Sequence, residues 1–287
     1  MVIGDKNPTI CVNISVLDDP RICYTVGSLN HQTVKPDMVL IAYGGGNPIV
    51  VRELKEELKR NFPSLNIITI ACPGTPIQSK INALNYIDTD ITAYLDADEL
   101  APETWLEHLT EPINTGRADY TGGPTKQIGE AKSGPERYYN ELERRIYEGD
   151  VKQDVTYMPL GNTAWRTSLL KELRFDSRIT FRGGAPDYDL EMRAVDAGYK
   201  GEFVREAWVY HDKSTDKGYM ALLRHRYKYL VGAAVIMIKN RRLGRRLGEK
   251  RIRIKHPFVY VEMAMKPLAL IHAALLWQIL KRREMHL

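Results

Sequence analysis

The chain has 287 residues, of which 44% are hydrophobic and 27% are charged, so its composition is that of a folded globular protein rather than a disordered one. The formal net charge of +5 suits anionic ligands or an anionic surface. Cys11, Cys23 and Cys72 form no C-x-x-C pair, which argues against a structural zinc site and predicts buried free thiols in a reducing compartment. The polar stretch Met1–Thr9 has no apolar segment, so no secretory signal is predicted there.

Short apolar runs alternate with amphipathic stretches through the first hundred residues. The apolar runs predict strands at 10–17, 39–43, 66–71 and 91–95. The amphipathic stretches predict helices at 21–32, 49–61 and 77–86. This alternation predicts an α/β fold with a mostly parallel central sheet and helices on both faces.

The second half is less regular. It predicts helices at 102–109, 136–147 and 187–198, a strand at 203–211, and a helix at 219–239. The change of character after Gly218 predicts two units, which are a catalytic domain at 1–217 and a helical extension at 218–287. Within the first unit, 1–100 is expected to be the nucleotide-binding half and 101–217 the acceptor half.

Polar and glycine residues follow three of the predicted strands. Asp18 and Asp19 follow the first, Gly44–Gly46 follows the second, and Asp96–Glu99 follows the fourth. In such sheets, ligands bind outside the carboxyl ends of the strands. The sequence therefore predicts a binding site at this edge.

The segment Asp96-Ala97-Asp98 carries two carboxylates at a strand end. Mg²⁺ and Mn²⁺ prefer oxygen ligands and usually lie between protein carboxylates and substrate phosphates. Side chains at i and i+2 can face the same way, and Ala97 causes no crowding between them. The plainer alternative is a solvated turn in which one Asp caps the helix predicted at Pro102.

Four blocks of sequence, taken in order, resemble family 2 glycosyltransferases of the GT-A fold. The blocks are Lys80–Asn85, Thr92–Glu99, Phe175-Asp176 with Asp187–Tyr199, and Val209–His211. The resemblance implies a GT-A (Rossmann-like) fold and inverting transfer of a sugar from a nucleotide-sugar donor. It also implies that Asp187 is the general base that takes the acceptor's proton.

The resemblance assigns further residues to the donor, the acceptor and the metal. The implied donor contacts are Asp18, Asp19, Tyr43, Lys80 and Asp96; the acceptor-side residues are Asn162, Trp165, Asp189 and Arg193; the ligands of Mn²⁺ or Mg²⁺ are Asp96, Asp98 and His211. Asp189 and Arg193 are also expected to brace the helix at the site.

Each role has a structural alternative. Asp187 and Asp189 could cap a helix, His211 could simply end a strand, Lys80 could be a solvated lysine, and Tyr43 and Trp165 could be packing residues. The sequence also departs from the family pattern. Ala42–Gly46 stands where the family has a small acidic run, and Pro186 stands where Glu is common. The identity of the nucleotide, UDP or GDP, is therefore left open.

A strongly basic stretch at 239–255 precedes the mostly apolar 258–280. One alternative is a nucleic-acid-binding patch, but the stretch lacks interleaved aromatic residues. The other is a solvated helix face, which would not explain the apolar segment that follows. We favour helices that lie in an anionic membrane interface, because Glu262, Lys266 and Pro267 interrupt the apolar run. This placement suits a polyprenyl-phosphate-linked acceptor, with a saccharide as the alternative, and predicts a cytoplasmic protein at the inner face of the cell membrane.

Three functions compete at this stage. The first is an inverting glycosyltransferase, the second is a nucleotidyltransferase, and the third is a non-catalytic nucleotide-sugar-binding protein. Nucleotidyltransferases on related sheets usually begin with a Gly-rich basic loop, which Asp18-Asp19-Pro20 matches poorly. The intact Asp-x-Asp together with Asp187 argues against a non-catalytic protein.

Overall fold

In the computed structural model the described residues are 8–128, 134, 137, 138, 140, 141, 158–181, 185–212, 218–241 and 258–284. Most of the helix predicted at 136–147 and most of the basic stretch at 239–255 lie outside these residues.

A seven-stranded sheet forms the centre of the first unit. Its strands in chain order are β1 (Ile10–Val16), β2 (Met38–Tyr43), β3 (Ile67–Ala71), β4 (Ile91–Asp96), β6 (Tyr120–Gly122), β8 (Asn162–Arg166) and β9 (Gly201–Phe203). The order across the sheet is β3-β2-β1-β4-β8-β6-β9. Only β8 runs antiparallel to its neighbours, so the sheet is mostly parallel, as the sequence predicts.

A second, three-stranded sheet is attached at the carboxyl end of β4. It consists of β5 (Glu99–Leu100), β10 (Val209–His211) and β7 (Thr125–Gln127), in the order β5-β10-β7. β5 follows β4 almost directly, and β10 pairs with it so that His211 lies opposite Glu99. This pairing brings His211 to the Asp96–Glu99 segment.

Helices cover both faces of the large sheet. The helices of the first unit are α1 (Ile22–Leu29), α2 (Pro48–Asn61), α3 (Pro76–Ala83), α4 (Trp105–Asn114), α5 (Thr167–Leu173) and α6 (Pro186–Asp196). Because side chains alternate along a strand, Val12 and Ile14 pack in the cluster that contains α1, α2 and α4. Cys11 packs in the cluster on the other face, which contains α3, α5 and α6.

The predicted elements differ from the structure in several places; β5 and α5, for example, were not predicted. The helix expected at 102–109 begins at Trp105 and continues to Asn114 through Pro112, because Leu109 and Ile113 pack in the core and outweigh the hydrogen bond that proline loses. The strand expected at 203–211 is two strands in different sheets, separated by a turn in which the Ala207 N–H donates to the Val204 carbonyl. The strands β6, β7 and β8 were not predicted, since β6 and β7 have only three residues each and show no period.

The extension contains two long helices, α7 (Gly218–Lys239) and α8 (Phe258–Glu284). They pack on each other and on the first unit, in a cluster that includes Ile179 and Met192. α8 is continuous through Pro267, one of the residues that interrupt its apolar run in the sequence. Among the described helices, the segment Phe258–Arg282 is long and apolar enough to cross a membrane by length and composition, and 22% of its most apolar window is buried.

Candidate active site

The parallel strands bring three of the predicted residues to one edge of the sheet. Val16 lies beside Tyr43, and Ser15 lies beside Asp96, so the loop after β1 adjoins the ends of β2 and β4. The Tyr43 hydroxyl lies 3.2 Å from Asp18 Oδ1 and donates a hydrogen bond to it. Asp18 has a φ of 51°, a left-handed conformation that Asp tolerates better than most residues.

Asp96 is paired with a buried lysine from α3. Lys80 Nζ lies 2.6 Å from Asp96 Oδ1, and Lys80 is only 3% exposed. The lysine is therefore not the solvated side chain considered as the alternative. The ammonium group of Lys80 neutralises Asp96. A phosphate group bound here could accept one of the hydrogen bonds that this ammonium group donates.

Asp98 lies beside His211, as the pairing of β5 and β10 requires. Asp98 Oδ2 is 3.2 Å from His211 Nε2. The backbone carbonyl of Asp98 accepts a hydrogen bond of 2.9 Å from the Asp212 N–H, which holds the two segments together.

Arg21, which was not among the predicted site residues, connects three carboxylates at the same edge. Its guanidinium donates to Asp19 Oδ1 at 2.9 Å and to Asp19 Oδ2 at 2.6 Å, and it lies 3.5 Å from Asp98 and 3.6 Å from Asp212. Its hydrogen bonds hold the pKa of Asp19 below the usual range. Asp19 is thus committed to an ion pair, whereas Asp18 beside it meets Tyr43.

Glu99 is a buried acid behind Asp96 and His211. Its Oε2 accepts a hydrogen bond of 2.9 Å from the Asp96 N–H, and its Oε1 is 3.9 Å from His211 Nδ1. Burial raises the pKa of Glu99, and the Asp96 charge raises it further. Glu99 therefore supports the backbone of the Asp-x-Asp segment from inside.

Asp187 reaches this edge from α6. It lies in the first turn of the helix, where Asp187 Oδ1 accepts from the Tyr188 N–H at 2.9 Å and Oδ2 accepts from the Leu160 N–H at 3.4 Å. Gly161 follows Leu160, and a Cβ added to it would lie 2.6 Å from Asp96 Oδ2. The dipeptide 160–161 therefore contacts Asp187 on one side and Asp96 on the other.

Removal from water raises the pKa of the Asp187 carboxyl group, while the N–H groups of Tyr188 and Leu160 and the charge of Lys80 act in the opposite direction. One turn further along α6, Glu191 is buried and accepts from the Met158 N–H at 3.1 Å. Burial, followed by the Asp187 charge, raises the pKa of Glu191 well above its usual range. The raised pKa of Glu191 reflects the cost of a second negative charge beside Asp187.

The prediction that Asn162 and Trp165 face the acceptor was wrong. Both side chains are buried. Asn162 accepts from Trp105 Nε1 at 2.8 Å and donates to the carbonyls of Pro124 and Ala207. Trp165 stacks on Tyr120 with 4.2 Å between ring centroids. All the polar atoms of the Asn162 side chain are used within the protein, so it joins strands rather than binding a sugar.

Asp189 and Arg193 are engaged with other parts of the protein, and their assignment to the acceptor side stays a prediction. Asp189 is fully buried and binds Arg193 Nε at 2.9 Å, Lys239 Nζ at 2.6 Å and Asn240 Nδ2 at 2.8 Å. Arg193 additionally donates to the carbonyls of Leu173 and Arg174. Their expected bracing of α6 agrees with these contacts.

The three predicted metal ligands are not brought together as one set. Within the described ranges, no three His, Cys, Asp or Glu side chains converge in a way that could hold a metal ion. Asp98 and His211 form a pair, while Asp96 is engaged by Lys80. A carboxylate and an imidazole can supply two ligands, and a cation there would need further oxygen ligands from elsewhere.

Comparisons with known proteins identify the fold and the family. The model of the family described as glycosyl transferase family 2 matches residues 16–174. A mannosyltransferase from Pyrobaculum calidifontis, PcManGT, solved in complex with GDP-Man and Mn²⁺, is similar with a TM-score of 0.58 and 16% identity over 94% of this chain and 74% of that one. S. aureus TarS 1–349 in complex with UDP-GlcNAc is similar with a TM-score of 0.52 and 15% identity over 92% of this chain and 79% of that one. No curated protein matches the sequence significantly.

Proposed function

Because the chain belongs to glycosyl transferase family 2 and has the GT-A fold, we propose that it is an inverting enzyme that transfers a sugar from a nucleoside-diphosphate sugar to an acceptor hydroxyl or phosphate. The acceptor is a saccharide or a polyprenyl-phosphate-linked molecule. The nucleotide-sugar transferase activity follows from the family, and the stereochemistry, metal and acceptor are proposals.

One observation carries the proposal. Asp187 and Asp96 contact neighbouring residues of the 160–161 dipeptide, and the charge of Lys80 acts on both carboxylates. An inverting transfer needs a carboxylate on the acceptor side and a phosphate-binding group on the donor side of one anomeric carbon. This arrangement provides both within one edge of the sheet.

The donor side is supported by the residues around β1, β2 and α3. Asp18 and Tyr43 are suited to a ribose or base, through a carboxylate acceptor and an aromatic ring. Lys80 is suited to the diphosphate, whose charge would replace that of Asp96 as its partner. PcManGT binds GDP-Man and TarS binds UDP-GlcNAc, which supports a nucleotide-sugar donor without deciding between UDP and GDP.

A divalent cation fits Asp98 and His211 if the donor phosphates complete its coordination. Mg²⁺ is commonly held by one or two carboxylates plus substrate phosphates, and Mn²⁺ accepts the same oxygen ligands. PcManGT was solved with Mn²⁺, which supports such an ion here. Bound at this position, the cation would offset charge on the leaving diphosphate.

In the proposed chemical step, Asp187 accepts a proton and the nucleoside diphosphate leaves with an electron pair. With a hydroxyl acceptor, the acceptor oxygen bonds to the anomeric carbon while its proton passes to Asp187; the oxygen of an ionised phosphate acceptor attacks without giving up a proton. The bond between that carbon and the phosphate oxygen breaks, and its electron pair leaves with the nucleoside diphosphate. Lys80 supplies positive charge on the leaving side, and attack from the opposite face inverts the configuration.

The proposal is tested by screening the purified chain against UDP- and GDP-sugars and measuring release of the nucleoside diphosphate. Calorimetric titration of UDP and GDP, each with and without Mn²⁺, completes the test. We expect one nucleotide to bind more tightly with Mn²⁺, and its sugar to turn over. Pyrophosphate release from a nucleoside triphosphate would instead identify a nucleotidyltransferase, and binding without any turnover would indicate a non-catalytic protein. Binding that ignores Mn²⁺ would contradict the metal part of the proposal.

A further inference from the structure

The helix α8 exposes an unusually apolar surface. Eight of its large apolar side chains are more than a third exposed, and these are Tyr260, Val261, Met263, Leu268, Leu270, Ile271, Leu275 and Ile279. A helix of this length extends about 40 Å. Large contiguous apolar patches on proteins generally mark an interaction surface.

The charged residues of α8 do not interrupt the centre of this surface. Glu262 is buried and paired with Arg226 on α7. Lys266 and His272 are exposed, but the 3.6-residue repeat places them beside the buried stripe of Ala269 and Ala273 rather than opposite it. The side facing away from the protein is therefore apolar from Tyr260 to Leu275, and the exposed Gln278 is the polar residue near its end.

The buried stripe of α8 argues against a helix that crosses a membrane. Ala269, Ala273 and Trp277 pack in a cluster that includes residues of the catalytic unit. The Arg178 guanidinium lies 5.1 Å from the centre of the Trp277 ring. A crossing helix would carry this charged neighbour, and the domain attached to it, into the hydrocarbon region, where charges are costly.

Charges at both ends of α8 identify the partner. In the sequence, a basic run from Arg241 to Lys255 precedes the helix, and Lys281-Arg282-Arg283 ends it. If two copies paired through this face, parallel or antiparallel, basic ends would meet basic ends and repel. Anionic lipid headgroups instead attract both ends while acyl chains cover the apolar centre.

We propose that α8 lies along an anionic membrane surface, with its exposed apolar side chains inserted at the boundary between headgroups and acyl chains. Lys281, an exposed cation near the end of the helix, suits the headgroup side of the boundary. This surface is distinct from the carboxylate edge.

The contacts between the extension and α6 relate the position of Asp187 to the proposed membrane surface. Lys239, the last residue of α7, binds Asp176 at 2.7 Å and Asp189 at 2.6 Å. Asp189 lies two residues after Asp187 on α6. Resting on the proposed function, we infer that α8 holds Asp187 at a constant height above the membrane, which suits an acceptor anchored in lipid.

Vesicle sedimentation of the full chain tests the docking surface. We expect binding to phosphatidylcholine vesicles that contain 30% phosphatidylglycerol, about tenfold weaker binding to pure phosphatidylcholine, and weakening in high salt. Ile271→Glu, at a side chain 61% exposed, should reduce binding to anionic vesicles at least about tenfold. Ile49→Glu, at a side chain 54% exposed on α2, is the matched control and should leave it unchanged.

Three results would overturn the proposal: equal vesicle binding by wild type and Ile271→Glu, a dimer in solution that this substitution dissociates, or wild type that stays in the vesicles after alkaline carbonate extraction. Because the vesicles contain no donor, a failure here is separate from a failure of the proposed activity. Nucleotide affinity measured on Ile271→Glu shows independently that the site is folded.

Discussion

Two sides of α6 carry carboxylates in opposite surroundings. On the side that meets the dipeptide 160–161, Asp187 accepts hydrogen bonds from backbone N–H groups, and removal from water raises its pKa. On the side that meets the extension, Asp189 is enclosed by Arg193, Lys239 and Asn240. A carboxylate surrounded by cations is a structural anchor, whereas one held by backbone dipoles keeps its capacity to accept a proton.

The sharpest test of this contrast is Asp187→Asn. We expect transfer to fall by about 10²–10⁴-fold while donor affinity stays the same, because the amide keeps the shape and loses the base. Nucleoside diphosphate release measures the first and calorimetry the second. Asp196→Asn, on the exposed end of the same helix, serves as the control. Undiminished turnover in Asp187→Asn would remove the residue from the base role.

Asp189→Asn should act mainly on the stability of the fold, whereas Asp187→Asn should act on transfer. Loss of the charge removes the buried carboxylate that pairs with Arg193 and leaves Lys239 with Asp176 alone, and we expect the free energy of unfolding to drop by about 3 kcal/mol. Urea unfolding followed by circular dichroism measures it, again against Asp196→Asn. Equal midpoints for the two variants would show that the buried ion pairs do not anchor the extension.

Lys80→Gln should weaken binding of the donor nucleotide, and this effect should be smaller than those of the two Asp substitutions. Removal of the charge that faces both carboxylates is expected to lower nucleoside diphosphate affinity by about tenfold, the scale of one charged hydrogen bond. Lys59→Gln, at an exposed position on α2, is the matched control. Unchanged affinity would show that Lys80 pairs with Asp96 and does not bind the diphosphate.

The smallest expected effect is on pH dependence. A base must be deprotonated to work, so kcat/KM should rise with pH through the pKa of Asp187. Burial places that pKa above the value of about 3.9 for an exposed Asp. We expect kcat/KM to rise as the pH increases above the ordinary range of an exposed Asp and then to level off, measured at constant ionic strength. A rate independent of pH above that range would indicate an unperturbed carboxylate or a step other than proton transfer.

The sequence predicted the parallel part of the sheet because its strands are long apolar runs, and parallel strands necessarily gather Asp18, Tyr43 and Asp96 at one edge. It did not predict β8, because the segment Asn162–Arg166 mixes polar and apolar residues without the two-residue alternation of a strand. For the same reason it misassigned Asn162 and Trp165, since burial in an unpredicted strand cannot be read from residue type. Arg21 carried a usable signal, as it follows Asp19 by two residues, and Glu191 follows Asp187 at helical spacing.

The absence of a side chain at position 161 lets Asp96 keep its place at the edge of the sheet. An added methyl group would lie 2.6 Å from Asp96 Oδ2 and 3.0 Å from Glu99 Oε2, closer than non-bonded atoms tolerate. Even alanine at this position would force one of these two carboxylates to move. Position 161 therefore acts as a spacer for the carboxylate that pairs with Lys80, and a larger residue would alter the donor side of the proposed site.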